Sequence, residues 1–179
     1  GVKPSNYYKN FETKLNSYLK FQQDFPEIII AQGIAPDFGA IVEPSAFGGE
    51  VLWMDKGAPH VKAGINKYKA ILNMKSLDPS NSEIMSLMLK EYKYLWKNLD
   101  QKYIKNYGYL RNMAYSLGPL ETAGLVMGYE KFFTGFFERP KLIHKLLNIV
   151  TEGIIKWIKE QEKINGKLKR LYLPDHVPT

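Results

Sequence analysis

Apolar residues recur at helical spacing in several stretches of the chain. Tyr8, Phe11, Leu15, Tyr18 and Leu19 fall on one face of a first helix, with Ser5 placed to cap its start and Pro26 to end it. A second helical region begins near Asp78-Pro79-Ser80. There Ser80 or Asn81 can cap, Glu83 lies in the first turn, Ile84, Leu87, Met88, Leu95 and Leu99 form the stripe, and Gly108 closes the region. Leu120 to Met127 and Tyr129 to Phe137 read as two short helices split at Gly128. The longest helix has Pro140 in its first turn, carries Leu142, Ile143, Leu146, Leu147, Val150, Ile154, Ile155 and Ile158 inward, and stops near Asn165-Gly166.

Between the helices lie short β-prone runs. Ile28 to Ile30 is apolar and β-branched throughout, the pattern of a buried strand, and a Gly/Pro-punctuated segment from Gly33 to Gly49 follows it. Glu50 to Met54 and His60 to Lys62 flank the turn Asp55-Lys56-Gly57 as a small hairpin. Asn112 to Leu117 leads into Gly118-Pro119, and Leu171 to Leu173 closes the series. Strands separated by long amphipathic helices predict an α/β protein with parallel strands, because crossovers of this length deliver each strand parallel to the last. Three such strands are too few to close a barrel. No internal repeat or interdomain linker interrupts the pattern.

Composition narrows the picture. The 179 residues are 45% hydrophobic and 13% aromatic with no cysteine, which suits one domain with a substantial core and excludes collagen, long disorder and a disulfide scaffold. The missing thiols also remove thiolate catalysis and sulfur-ligated metals from the residues shown. No apolar run approaches the roughly 20 residues of a spanning helix, and no signal-peptide core opens the chain, so the expectation is a cytoplasmic protein without a membrane partner. The net charge of +7 lies entirely in the second half, where residues 90–179 hold 16 basic and 9 acidic side chains. Runs such as Lys156, Lys159, Glu160, Glu162 and Lys163 mix the signs as a solvated helix face does, and no nucleic-acid motif accompanies them.

Phosphate loops, dinucleotide fingerprints, His-Glu-x-x-His and nucleophile elbows are all missing, so candidate chemistry rests on position. In α/β folds, ligands sit beyond the carboxyl ends of the strands. After the first strand, Asp37 and Glu43 are the ionisable groups of an otherwise small and apolar loop. Either can orient a ligand or exchange a proton, or else cap a turn (Asp37) and sit exposed on a short helix (Glu43). After the second strand, Glu121 and Thr122 occupy a first helical turn whose free N–H groups can also receive an anion. After the third, Asp175 and His176 pair a carboxylate with an imidazole, a combination suited to proton transfer or metal ligation. His60 and His144 read as surface residues, and Met85, Met88, Trp96 and Trp157 as core.

The stretch Ser116-Leu-Gly-Pro-Leu-Glu-Thr-Ala-Gly-Leu-Val-Met-Gly128, followed by Glu130, Phe132, Phe133, Glu138-Arg-Pro140, Ile143-His144-Lys-Leu-Leu147, Thr151 and Ile158-Lys-Glu-Gln161, resembles the central segment of the uroporphyrinogen decarboxylase superfamily. Glu43-Pro-Ser-Ala-Phe-Gly-Gly-Glu-Val51, Trp53, Pro59 and Val61 resemble its Gly-x-Glu-Val hairpin, and Leu171 to His176 its next barrel strand. The resemblance runs from about Asn6 onward. It implies a partial (β/α)8 barrel, about the N-terminal half, with a small β-hairpin insertion.

The superfamily includes the decarboxylase, which acts on a tetrapyrrole without a cofactor, and zinc methyltransferases that move methyl groups between corrinoid proteins and thiols such as coenzyme M. The decarboxylase's arginine-rich N-terminal motif has no counterpart here, and the only arginines are Arg111, Arg139 and Arg170. Its active-site tyrosine falls on Leu125, and its central aspartate aligns near Gly39, so Asp37 substitutes only through a two-residue shift. These departures lean toward a methyltransferase-like member, with decarboxylation and a non-catalytic half-barrel assembly module as alternatives. On this resemblance no cofactor is held within the chain itself. Zinc and a corrinoid belong to the full-length protein, whose partner is a tetrapyrrole or a corrinoid-bearing protein, and a half barrel is expected to self-associate or pair with its missing half.

Overall fold

A computed structural model of the protein describes residues 4–28, 34–100 and 112–174. Helix α1 (Pro4–Lys9) and α2 (Phe11–Asp24) replace the single first helix of the sequence pattern. The stripe runs through both, but Asn10 takes an extended conformation and its side chain accepts the Thr13 N–H at 2.8 Å, which ends one helix and caps the next. Ser5 therefore lies inside α1. The proposed strand at Ile28–Ile30 has Ile29 and Ile30 outside the described residues. The loop that follows it contains a short helix, α3 (Val42–Ala46).

Strands β1 (Glu50–Leu52) and β2 (His60–Lys62) form the expected antiparallel hairpin, with Val51 opposite Val61. A 3-10 segment at Tyr68–Asn73 has no counterpart in the sequence reading. Asp78, rather than Ser80 or Asn81, caps the 3-10 turn Pro79–Asn81, and Ser82 caps helix α4 (Glu83–Asn98). Gly108 lies outside the described residues. Strand β3 (Met113–Tyr115) leads to helices α5 (Pro119–Met127), α6 (Tyr129–Glu138) and α7 (Pro140–Asn165), and β4 (Arg170–Tyr172) then pairs with β3 in parallel. Gly128, at φ 84°, makes the sharp joint between α5 and α6 that other residues adopt only with strain.

One stripe of α7 organises the interior. Ile143, Leu146, Val150, Ile154, Trp157, Gln161 and Asn165 recur every three or four residues, and all are buried. The first four pack with Ala123, Val126, Met127 and Phe132 of α5 and α6. Trp157 joins a second cluster built on Leu15 of α2, Phe38 and Ile41 of the loop, and Met85, Met88, Tyr92 and Leu95 of α4. Fully burying each large side chain of this kind stabilises the fold by about 1.5–3 kcal/mol. Ile155 corrects the sequence reading: it is 47% exposed, because it sits off this stripe.

The two polar members of the stripe meet β3. Gln161 donates to the Tyr115 carbonyl at 2.8 Å and accepts the Tyr115 N–H at 2.9 Å, while Asn165 donates to the Met113 carbonyl at 2.9 Å. On the other edge of β3, Ser116 and Gly118 N–H groups bond the Tyr172 and Pro174 carbonyls. The strand is thus held between β4 and the side chains of α7. Among the described residues, no helix is long and apolar enough to cross a membrane.

Candidate functional site

Beyond the carboxyl ends of β3 and β4, the loop 35–39, α3 and α2 enclose a cleft of about 320 Å³, at the small end of ligand pockets. Its polar walls are Tyr18, Asp37, Glu43, Tyr115, Ser116 and Tyr172, set among apolar residues that include Phe38, Val42 and Met88. No lysine, arginine or histidine is among these described lining residues, although the chain carries 25 basic side chains.

Asp37 is held twice. Its carboxylate accepts the Gly39 N–H at 2.9 Å, where Gly39 turns the chain at φ 62°, and its backbone carbonyl accepts Lys14 Nζ at 2.7 Å. Lys14 is fully buried, ion-paired with Glu91 of α4, and lies 3.8 Å from the centre of the Phe38 ring. Burial pushes Lys14 down and pushes Glu91 up to about 7, in each case against the pull of the partner. The pair therefore bolts the cleft loop to α2 and α4 without presenting a net cation to the cleft. Burial also raises the Tyr18 phenol, with the Asp37 charge adding to it, and Tyr18 hydrogen-bonds Tyr7. The same two causes bring Tyr8 to about 12.

Glu43 lies in the first turn of α3 and is buried, not exposed as a helix-surface carboxylate would be. Burial raises it to about 7, opposed by hydrogen bonds from its own backbone, the Ser116 hydroxyl and the Leu117 N–H. The Trp157 indole N–H also favours the ionised form, though it completes no hydrogen bond with any acceptor. A carboxyl balanced near neutrality at a cleft wall can hold or release a proton there. Asp37 and Glu43 are thus brought to one cavity.

Glu121 and Thr122 are buried in the first turn of α5 but lie outside the cleft lining. Asp175 and His176 fall outside the described residues, directly after Pro174, which lines the cleft. His60 and His144 are exposed, and Met85, Met88 and Trp157 are core. The sequence reading missed Lys14, Tyr18, Glu91, Tyr115 and Ser116. A signal existed for two of them: Lys14 and Glu91 interrupt apolar stripes at positions whose neighbours are core.

Zinc does not fit the residues present. The chain has no cysteine, and among the described residues no group of three or more His, Asp or Glu side chains is placed to hold a metal ion.

Comparison with known proteins places this geometry in context. A methyltransferase from Methanosarcina mazei has a similar structure, with a TM-score of 0.66 and 15% sequence identity over 90% of this chain, which shows a shared fold. The match takes in 46% of that protein, so the chain spans about half its length. No curated protein matches the sequence. The family model described as uroporphyrinogen decarboxylase (URO-D) matches residues 33–167, three quarters of the chain. The chain belongs to the uroporphyrinogen decarboxylase family.

Proposed function

We propose that this chain is the substrate-cleft portion of a methyltransferase-like member of the family, forming about half of a (β/α)8 barrel, and that it works in the cytoplasm with a corrinoid-bearing protein. The observation that carries the reading is the charge of the cleft: Asp37 and Glu43 face it, and no cation does among the described lining residues. A tetrapyrrole bearing many carboxylates requires cationic partners to replace its lost hydration. A small methyl donor or acceptor does not. At about 320 Å³ the cleft is of a size for such a molecule, and a corrinoid would be held by its carrier protein. When bound, a corrinoid would carry the methyl group to or from the molecule held in the cleft. The chain's own residues supply shape, the Asp37 charge and a proton site at Glu43. A zinc-activated thiol would need metal ligands from outside these residues.

Tetrapyrrole decarboxylation is the second reading, supported by the family model and by Asp37 in the cleft lining. An assembly role is supported by β4, where Leu171 and Tyr172 are 47% and 40% exposed, as residues awaiting a further strand or a second copy would be. An anaerobic assay of the complete polypeptide separates the three. Loss of methyl–cobalt absorbance in the presence of a thiol supports methyl transfer. Conversion of uroporphyrinogen to coproporphyrinogen overturns it in favour of the decarboxylase, and neither activity favours assembly.

A further inference from the structure

The cleft joins two features: an aromatic lining, and carboxylates with no cation among the described lining residues. Aromatic rings surround it on two sides: Tyr18 and Phe38 on one, Tyr115 and Tyr172 on the other, the latter pair with ring centres 5.7 Å apart. Carboxylates close it, Asp37 at the loop and the buried Glu43 behind Ser116. Ring faces carry negative potential and attract cations, most strongly where water is excluded. Of the nearby cations, Lys14 lies 3.8 Å from the centre of the Phe38 ring and is ion-paired with Glu91, while Arg170 of β4 lies outside the lining and its charge is felt at Tyr115.

We propose that the cleft binds a small organic cation, a methylated ammonium or sulfonium group, with the Tyr18, Tyr115 and Tyr172 rings around its methyl groups and the Asp37 carboxylate as its counter-ion. The inference rests on the methyl-transfer reading and names its methyl donor: the C–N or C–S bond would break, the methyl group would pass to a reduced corrinoid on the carrier protein, and the neutral amine or sulfide would leave. Neutral molecules of equal size gain only the apolar contacts. Anions meet Asp37 and are refused. Selectivity is therefore by charge, and the carboxylate that sets it is held in place by the Gly39 N–H and by Lys14 through the backbone.

The test is a titration of the 179-residue chain with tetramethylammonium, followed by amide chemical shifts at constant ionic strength, with tert-butanol as the uncharged probe. Saturable shifts at Gly39, Tyr115 and Ser116 with a millimolar or tighter Kd, and at least fivefold weaker binding of tert-butanol, are expected. Asp37→Asn keeps the acceptor for Gly39 and removes the charge, so it should leave the fold intact and weaken tetramethylammonium at least fivefold. Tyr18→Leu, which removes a ring and no charge, should weaken it less, but measurably. Equal binding of the two probes, no saturable shifts in the cleft, or unchanged affinity in Asp37→Asn overturns the proposal. Cation binding without methyl transfer by the complete polypeptide removes the methyl-transfer reading and leaves the cation site standing, whereas methyl transfer without cation binding does the reverse.

Discussion

The side-chain amide of Gln161 pairs with both backbone groups of Tyr115, at 2.8 and 2.9 Å, and so fills a place on β3 that a neighbouring strand could occupy. Its oxygen also accepts the Tyr92 hydroxyl at 3.0 Å. A helix side chain thus sets the height of the strand that brings Tyr115 and Ser116 to the cleft. Gln161→Leu strands a buried N–H, a carbonyl and a phenol at once. We expect a loss of about 2–4 kcal/mol in denaturant unfolding, with faster hydrogen exchange at the Tyr115 amide. Unchanged exchange there would show that another group takes over the pairing.

Lys14 and Glu91 lie 77 residues apart and meet fully buried. Lys14→Met leaves the Glu91 charge without its partner and should cost about 3–5 kcal/mol, whereas Lys14→Met with Glu91→Leu should recover most of the loss. Urea midpoints of the two single variants and the double variant measure the coupling. Additive losses would mean that the pair does not act as a unit.

Glu43 makes stability depend on pH with a definite sign. Its ordinary value of 4.5 rises to about 7 in the folded chain, so the native state binds more protons than the unfolded state between those two values. The contribution of the protonated carboxyl is complete below pH 4.5 and is lost as pH rises through about 7. Glu43→Gln stays neutral and keeps acceptors for Ser116 and Leu117. Its stability relative to the parent should therefore grow by roughly 3 kcal/mol between pH 4.5 and pH 8, read from unfolding curves at both ends. A pH-independent difference would place the titration elsewhere.

Gly153 lets α7 pass close to Phe47 and Leu77. A Cβ there would lie 2.6 Å from Phe47 Cζ and 2.8 Å from Leu77 Cβ. Gly153→Ala improves helix propensity yet forces those contacts apart, and we expect a net loss of about 1–3 kcal/mol in thermal unfolding. A raised Tm would mean that the Phe47 ring simply turns aside.

Much of this architecture was legible because periodicity and punctuation coincide: Gly128 divides α5 from α6, Pro140 and Gly166 bound α7, and the hairpin flanks Asp55-Lys56-Gly57. The break at Asn10 was hidden because the apolar stripe continues across it, and only the cap geometry reveals the joint. Asp37 and Glu43 were legible as the ionisable groups of an otherwise small and apolar loop. What joins them to Tyr18, Tyr115 and Ser116 was not, because the contacts that build the cleft cross the chain at distances local patterns do not encode. The burial of Glu43 belongs to the same class: α3 looks like a loop helix in sequence, yet it packs against α4 and α5 with Glu43 beside Ser116 and Leu117.

The proposed methyl-transfer reading requires a cleft suited to small molecules and unsuited to a polycarboxylate tetrapyrrole. The decisive experiment is a titration of the 179-residue chain with uroporphyrin, following the amide resonances of Gly39, Tyr115 and Ser116. We predict no saturable shift at those residues up to millimolar concentration. Micromolar binding at them would contradict the claim and restore the decarboxylase reading.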